Sequence, residues 1–233
     1  MKLQQILLLT ATFFLALTAH AYNFRATDME YMSSTEICKA ALTGKTDNLE
    51  LRQRYLLKRD HPWKALIWKV GGWHYCGGAI KVRRAKNMVK PHERESTLKD
   101  AISNTKYSYN RIDKSNPWAI DMAITMADAY KELGEWQKSI DVLDQISQYH
   151  TNNSKILTMY GMVYYDRKDF PKAMTRFEQA SKAAGGSSAE IIYFMGLTAF
   201  KLGDIESAKR YAVKAKAMGY PLAGLWNMVN EHP

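Results

Sequence analysis

In the C-terminal half of the chain, small residues and large apolar residues recur at helical spacing, and the whole pattern returns after 34 or 35 positions. Ala127, Gly161 and Gly196 occupy one slot of this repeat, and Ser139, Ala173 and Ala208 occupy another. Tyr130, Leu133, Trp136, Ile140 and Leu143 surround them in the first copy, Tyr164, Phe170, Phe177 and Ala180 in the second, and Ala199, Leu202, Ile205, Ala212 and Ala215 in the third. A period of this length marks stacked supersecondary units. Each unit reads as two helices and a tight turn. Small side chains let the two backbones approach and large ones fill the flanking grooves, while Gly134 and Gly203 supply the left-handed residue that ends a helix. The pattern predicts repeats over residues 120–153, 154–188 and 189–222. Gly219-Tyr220-Pro221 stops the last repeat, and residues 222–229 (LAGLWNMV) read as a short apolar cap for the terminal hydrophobic face.

These residues resemble the tetratricopeptide (TPR) pattern, with residues 132–136 and 201–205 in the place of the turn between the paired helices. Two departures stand out: Lys168 replaces the turn glycine of the second repeat, and Ser139 replaces alanine in the first. The resemblance implies an α-solenoid whose first helices line a concave partner-binding face. It places Asp121, Ile124, Asp128 and Lys131 there, then Thr158, Met162 and Tyr165, then Tyr193, Leu197 and Phe200. Asp128, Met162 and Leu197 stand where family members that clamp a C-terminal carboxylate carry Asn, so that mode is disfavoured. The implied groove is aromatic and apolar, suited to an extended or helical segment of a partner. The alternative is that Tyr165, Tyr193 and Phe200 pack against a capping or N-terminal helix.

Upstream the periodicity is weaker. A short helix runs from Ser34 to Gly44, residues 48–59 suggest a second, and residues 96–109 a third, which fits the second helix of a degenerate fourth repeat. Residues 63–82 are ambiguous, because Gly71-Gly72 between two apolar runs is also a hairpin signal. Ile37-Cys38-Lys39-Ala40, followed by residues 72–77 (GWHYCG) and Arg84-Ala85, looks like an N-terminal module of some bacterial TPR proteins with a Tyr-Cys start and a His-His-Tyr-Cys segment. Trp73 stands where the first His would fall. That likeness favours helix over residues 73–88, so the expected fold is all-α for the most part, with a short hairpin as the alternative over residues 63–82.

Charge and the first residues set the compartment. Lys2, the apolar run of residues 6–17 and the small-x-small site Ala19-His20-Ala21 have the form of a secretory signal peptide cleaved after Ala21, implying a periplasmic or secreted protein. The 233-residue chain carries 33 Lys+Arg against 23 Asp+Glu. Beyond the leader, all of the positive excess lies in residues 22–115, while residues 116–233 balance. Asn116-Pro117 therefore divides a basic N-terminal region from the repeats. The densest cluster is Lys81, Arg83, Arg84, Lys86 and Lys90, read either as a solvated helix face or as a site for an anionic lipid headgroup, acidic polysaccharide or acidic protein. An exported location leaves out nucleic acid.

Cys38 and Cys76 are the two cysteines, and an isolated pair in an oxidising compartment reads first as a disulfide. Closing such a loop stabilises by about 4 kcal/mol in the chain-entropy model. With His74 and His61 they also form the sequence's single candidate for thiol or zinc chemistry, but neither Cys-x-x-Cys nor a second ligand pair accompanies them. Paired carboxylates, a Ser-His-Asp arrangement and a phosphate-cradling loop are likewise lacking. The expectation is a cofactor-free, non-enzymatic scaffold for envelope proteins serving appendage, secretion, polysaccharide-export or cell-wall assembly. The alternative is an accessory to periplasmic thiol or cofactor handling such as cytochrome maturation.

Overall fold

The computed structural model describes residues 24–230; the signal-peptide reading of residues 1–21 lies outside them. The described chain is helical throughout. Short helices come first: α1 (Asp28–Met32), α2 (Glu36–Ala41), a single 3-10 turn (Thr43–Lys45), α3 (Leu49–Arg54) and α4 (Pro62–Val70). Longer ones follow: α5 (Gly72–Lys86), α6 (Pro91–Tyr109), α7 (Trp118–Glu132), α8 (Trp136–Ser147), α9 (Ser154–Asp166), α10 (Phe170–Ala183), α11 (Ala189–Lys201) and α12 (Ile205–Ala217). A last short helix, α13 (Gly224–Asn230), closes the stack.

From α5 onward the helices pack in consecutive antiparallel pairs: α5 with α6, α7 with α8, α9 with α10, and α11 with α12. The small residues lie where the pairs touch. A methyl added to Gly161 would overlap the Phe177 ring, and one added to Gly196 would press on Leu225 of the cap and come within 3.0 Å of Tyr211 Cβ. Ala173 and Ala208 are fully buried. Ser139, which departs from the alanine pattern, is buried too, and its hydroxyl donates to the Ala127 carbonyl at 2.7 Å, so the polar atom is satisfied across the pair. Gly134 and Gly203 adopt φ of +73° and +82°, and Lys168 takes the same left-handed conformation at +63°.

The pair α5–α6 is a fourth two-helix unit. Gly78 plays the small-residue part, since a methyl there would lie 2.9 Å from the Ala101 carbonyl oxygen. Pro91 opens α6 five residues before Ser96, in the first-turn position where its missing N–H costs nothing.

Residues 63–82 are two helices, not a hairpin. Gly71, at φ +63°, ends α4 in the left-handed conformation, and α5 begins at the next residue. The buried Ser108 hydroxyl fixes the joint, donating to the Gly71 carbonyl at 2.8 Å and accepting from the Tyr75 N–H at 3.2 Å. Gly72 lies so close to the Trp118 ring that no side chain fits there.

One apolar core runs unbroken from Phe24 through α2, α4, α5 and α7 to Val163 of α9; a second joins α10, α11 and α12 to Leu225 and Val229 of the cap. The Cys38–Cys76 disulfide, with Cα atoms 5.4 Å apart, ties α2 to α5 inside the first core.

Candidate functional site

The first helices α5, α7, α9 and α11 share one concave side, where they enclose a cavity of about 510 Å³. Five of the predicted groove residues line it: Asp121, Ile124 and Asp128 from α7, Thr158 and Met162 from α9. Val82 and Ala79 of α5 and Ile191 of α11 extend the apolar floor. Two of its acids are already paired. Lys155 Nζ lies 3.0 Å from Asp121 and Lys86 Nζ 2.6 Å from Asp128. The cavity is thus an apolar floor with a polar rim, the composition of a recognition groove.

The other five predicted groove residues do not line this cavity. Lys131 is drawn under a cluster of carboxylates: Glu132 at 2.9 Å, Asp166 at 3.0 Å and Asp128 at 3.6 Å. Burial opposes its charge, but the surrounding acids outweigh that and hold the ammonium above its usual pKa. Tyr165 packs edge-on against Phe170 at 5.4 Å. Tyr193 is 8 % exposed, lying 4.5 Å from Tyr220 beside the cap. Leu197 and Phe200 are half-buried against the second core. Tyr165, Tyr193 and Phe200 are thus absent from the lining of this cavity, and the Tyr193 ring is taken up by the C-terminal segment.

The basic run is tied down within the chain. Lys81 pairs with Asp100 at 2.5 Å, Lys86 with Asp128, and Lys90 with Glu93 at 2.8 Å. Arg84 grips Glu30 with two hydrogen bonds of 2.6 and 2.7 Å, donates to the Arg25 carbonyl at 2.8 Å, and stands over the Phe24 ring. Arg83 alone of the five faces the cavity, 3.4 Å from the Ser34 hydroxyl.

Both cysteine sulfurs are bridged and buried, which removes them as nucleophiles and ligands in this state. His74 is held by Asn104 at 2.9 Å and lies tilted against Tyr107; burial lowers its pKa against the help of that hydrogen bond. His61 accepts from the Trp63 N–H at the start of α4.

No family model and no curated protein matches the chain. Among solved structures it is similar to TTC0263, a thermophilic TPR protein in Thermus thermophilus, with 16 % identity and a TM-score of 0.50 over 72 % of this chain and 95 % of that one. It also matches MamA 41-end from Desulfovibrio magneticus RS-1, with 19 % identity and a TM-score of 0.48 over 64 % of this chain and 81 % of that one. The fold is a TPR-type α-solenoid. In such a stack each first helix presents one face to its neighbours and another to the concave side, which is why Asp121, Ile124 and Asp128 meet Thr158 and Met162 across the cavity.

Proposed function

We propose that this protein is an exported, non-enzymatic TPR scaffold that holds a segment of another envelope protein in the concave cavity. The observation that carries the reading is the cavity itself: about 510 Å³, floored by Ile124, Met162, Val82 and Ile191 and rimmed by charges. Its apolar floor and polar rim suit an extended or single-helix segment with apolar anchors, the helix-in-groove mode of peptide recognition. The leader ending at Ala21 supports release into the periplasm, and the disulfide fits an oxidising compartment. The process served is assembly of an appendage, secretion, polysaccharide-export or cell-wall complex. The buried, closed Cys38–Cys76 bridge weighs against the alternative of thiol handling in cytochrome maturation, which needs a reactive thiol.

The test is site-specific photo-crosslinking in cells. A crosslinker at Met162 should trap a discrete protein adduct, whereas one at Arg176 on α10 should not, and Ile124→Glu should abolish the Met162 adduct while leaving the helical spectrum intact. Equal adducts at both positions, or a Met162 adduct indifferent to Ile124→Glu, would overturn the reading.

A further inference from the structure

The internal pairing of the run at residues 81–90 leaves the N-terminal half's surplus positive charge elsewhere. Among the described residues, Arg52, Lys58, Arg59 and Lys64 make no ion pair, in contrast to Arg54, which is held by Glu50 at 2.6 Å. The same stretch of chain carries the largest exposed apolar side chains of the segment: Leu56 is 69 % exposed, Trp68 68 % and Trp63 37 %. On α4 the helical period turns Ile67 and Val70 into the core and sends Trp68 outward with Lys64 one turn before it and Lys69 beside it. Lys69 feels Asp113, and Asp60 is the other acid of the patch.

The surface does not end at α4. Trp68 meets Trp73 edge-on at 5.2 Å, Trp73 lies 5.8 Å from His74, and His74 is 4.3 Å from Tyr107, itself 40 % exposed and covered by the Arg111 guanidinium at 3.5 Å. A chain of ring contacts thus joins the basic α3–α4 segment to the C-terminal end of α6, where Lys106 and Arg111 add two more exposed cations.

We infer that this face, formed by residues 52–69 and the end of α6, docks the protein onto an anionic phospholipid bilayer. Charge complementarity sets the sign, and the aromatic residues set the class. A soluble polyanion would satisfy the cations and leave Trp68 and Leu56 in water. A bilayer interface accepts Trp rings at headgroup level and aliphatic tips just below, while Lys and Arg lie among the phosphates. No helix of the described residues is long and apolar enough to cross a membrane. The docking face lies outside the residues that line the concave cavity and stands or falls independently of the partner reading.

The experiment is co-sedimentation of the purified protein with vesicles of phosphatidylcholine, with and without phosphatidylglycerol, read also by quenching of tryptophan fluorescence by brominated acyl chains. Binding should require phosphatidylglycerol, weaken with salt, and be accompanied by quenching. The triple variant Lys58→Glu, Arg59→Glu, Lys64→Glu should bind on the order of a hundredfold more weakly, since each cation near such a surface contributes about fivefold. Trp68→Ser should lose most of the quenching and about fivefold in binding, whereas Arg83→Glu, on the cavity rim, should bind as wild type. All substituted side chains are exposed or near-exposed, and an unchanged helical spectrum verifies the fold. Binding to neutral vesicles as strong as to anionic ones, no binding to either, wild-type binding by the triple variant, or retention on an acidic polysaccharide without tryptophan quenching in vesicles would each overturn the assignment.

Discussion

Arg84 fastens the N-terminal segment to the solenoid, and its removal should be felt in a defined pH window. Its guanidinium meets both Glu30 carboxylate oxygens and the Arg25 carbonyl, and it covers Phe24, which is 2 % exposed. That contact, helped by the Thr27 hydrogen bonds, pulls the Glu30 carboxyl from an ordinary 4.5 down to about 2, against the opposing effect of burial. By linkage such a shift corresponds to a ceiling of about 3 kcal/mol. A third of the Arg84 side chain is open to solvent (33 %), so screening brings the expected coupling to about 1–2 kcal/mol. The sign follows from the lowered pKa. The stabilisation is complete above 4.5 and is lost as the pH falls towards 2. The assay is a double-mutant cycle of Arg84→Gln and Glu30→Gln by urea unfolding. The coupling should be about 1–2 kcal/mol near pH 7 and shrink to roughly half near pH 3. Hydrogen exchange should at the same time rise over residues 24–34 and stay unchanged in α9. Effects that add within about 0.3 kcal/mol at both pH values would refute the reasoning and return Arg84 to the free basic surface.

Three further outcomes check the fold. Lys168→Gly should stabilise by about 0.5–1 kcal/mol, because it relieves a left-handed residue at +63° whose exposed side chain makes no described contact, while Gly203→Ala should destabilise by about 1–2 kcal/mol; thermal melts read both. Ala208→Leu, at a fully buried contact of α12 with α11, should overpack the third repeat at a cost of about 1–3 kcal/mol in urea unfolding, and a neutral result would contradict the register. Cys38→Ala should lower the melting temperature while retaining helicity, and neither cysteine of the wild type should react with an alkylating agent until a reductant is added.

The repeats were legible because close helix packing restricts side-chain volume at fixed positions. Gly161 and Gly196 admit no methyl group, and a requirement of that kind must recur wherever the packing recurs. The joint at Gly71 was not legible for an equally physical reason. A hairpin and an abrupt helix junction both need a residue with positive φ, so Gly-Gly announces either. The decision rests with Ser108 and Trp118, 37 and 46 residues further on, whose hydroxyl and ring accept only the junction.

The same distinction between local pattern and distant partner governs the surfaces. The run at residues 81–90 displays five cations to a reader of the sequence, yet Asp100, Glu30 and Asp128, which pair with three of them, come from three other helices. The positions lining a concave face follow from repeat register, and Asp121, Ile124, Asp128, Thr158 and Met162 lie together on it. Register does not report what the chain does after its last repeat, where Tyr220 folds back onto Tyr193 and takes that ring out of the groove. The two surfaces proposed to act are therefore what internal pairing leaves over: a concave cavity with an apolar floor, and a cationic, tryptophan-bearing α4 face whose charges have few acids to meet.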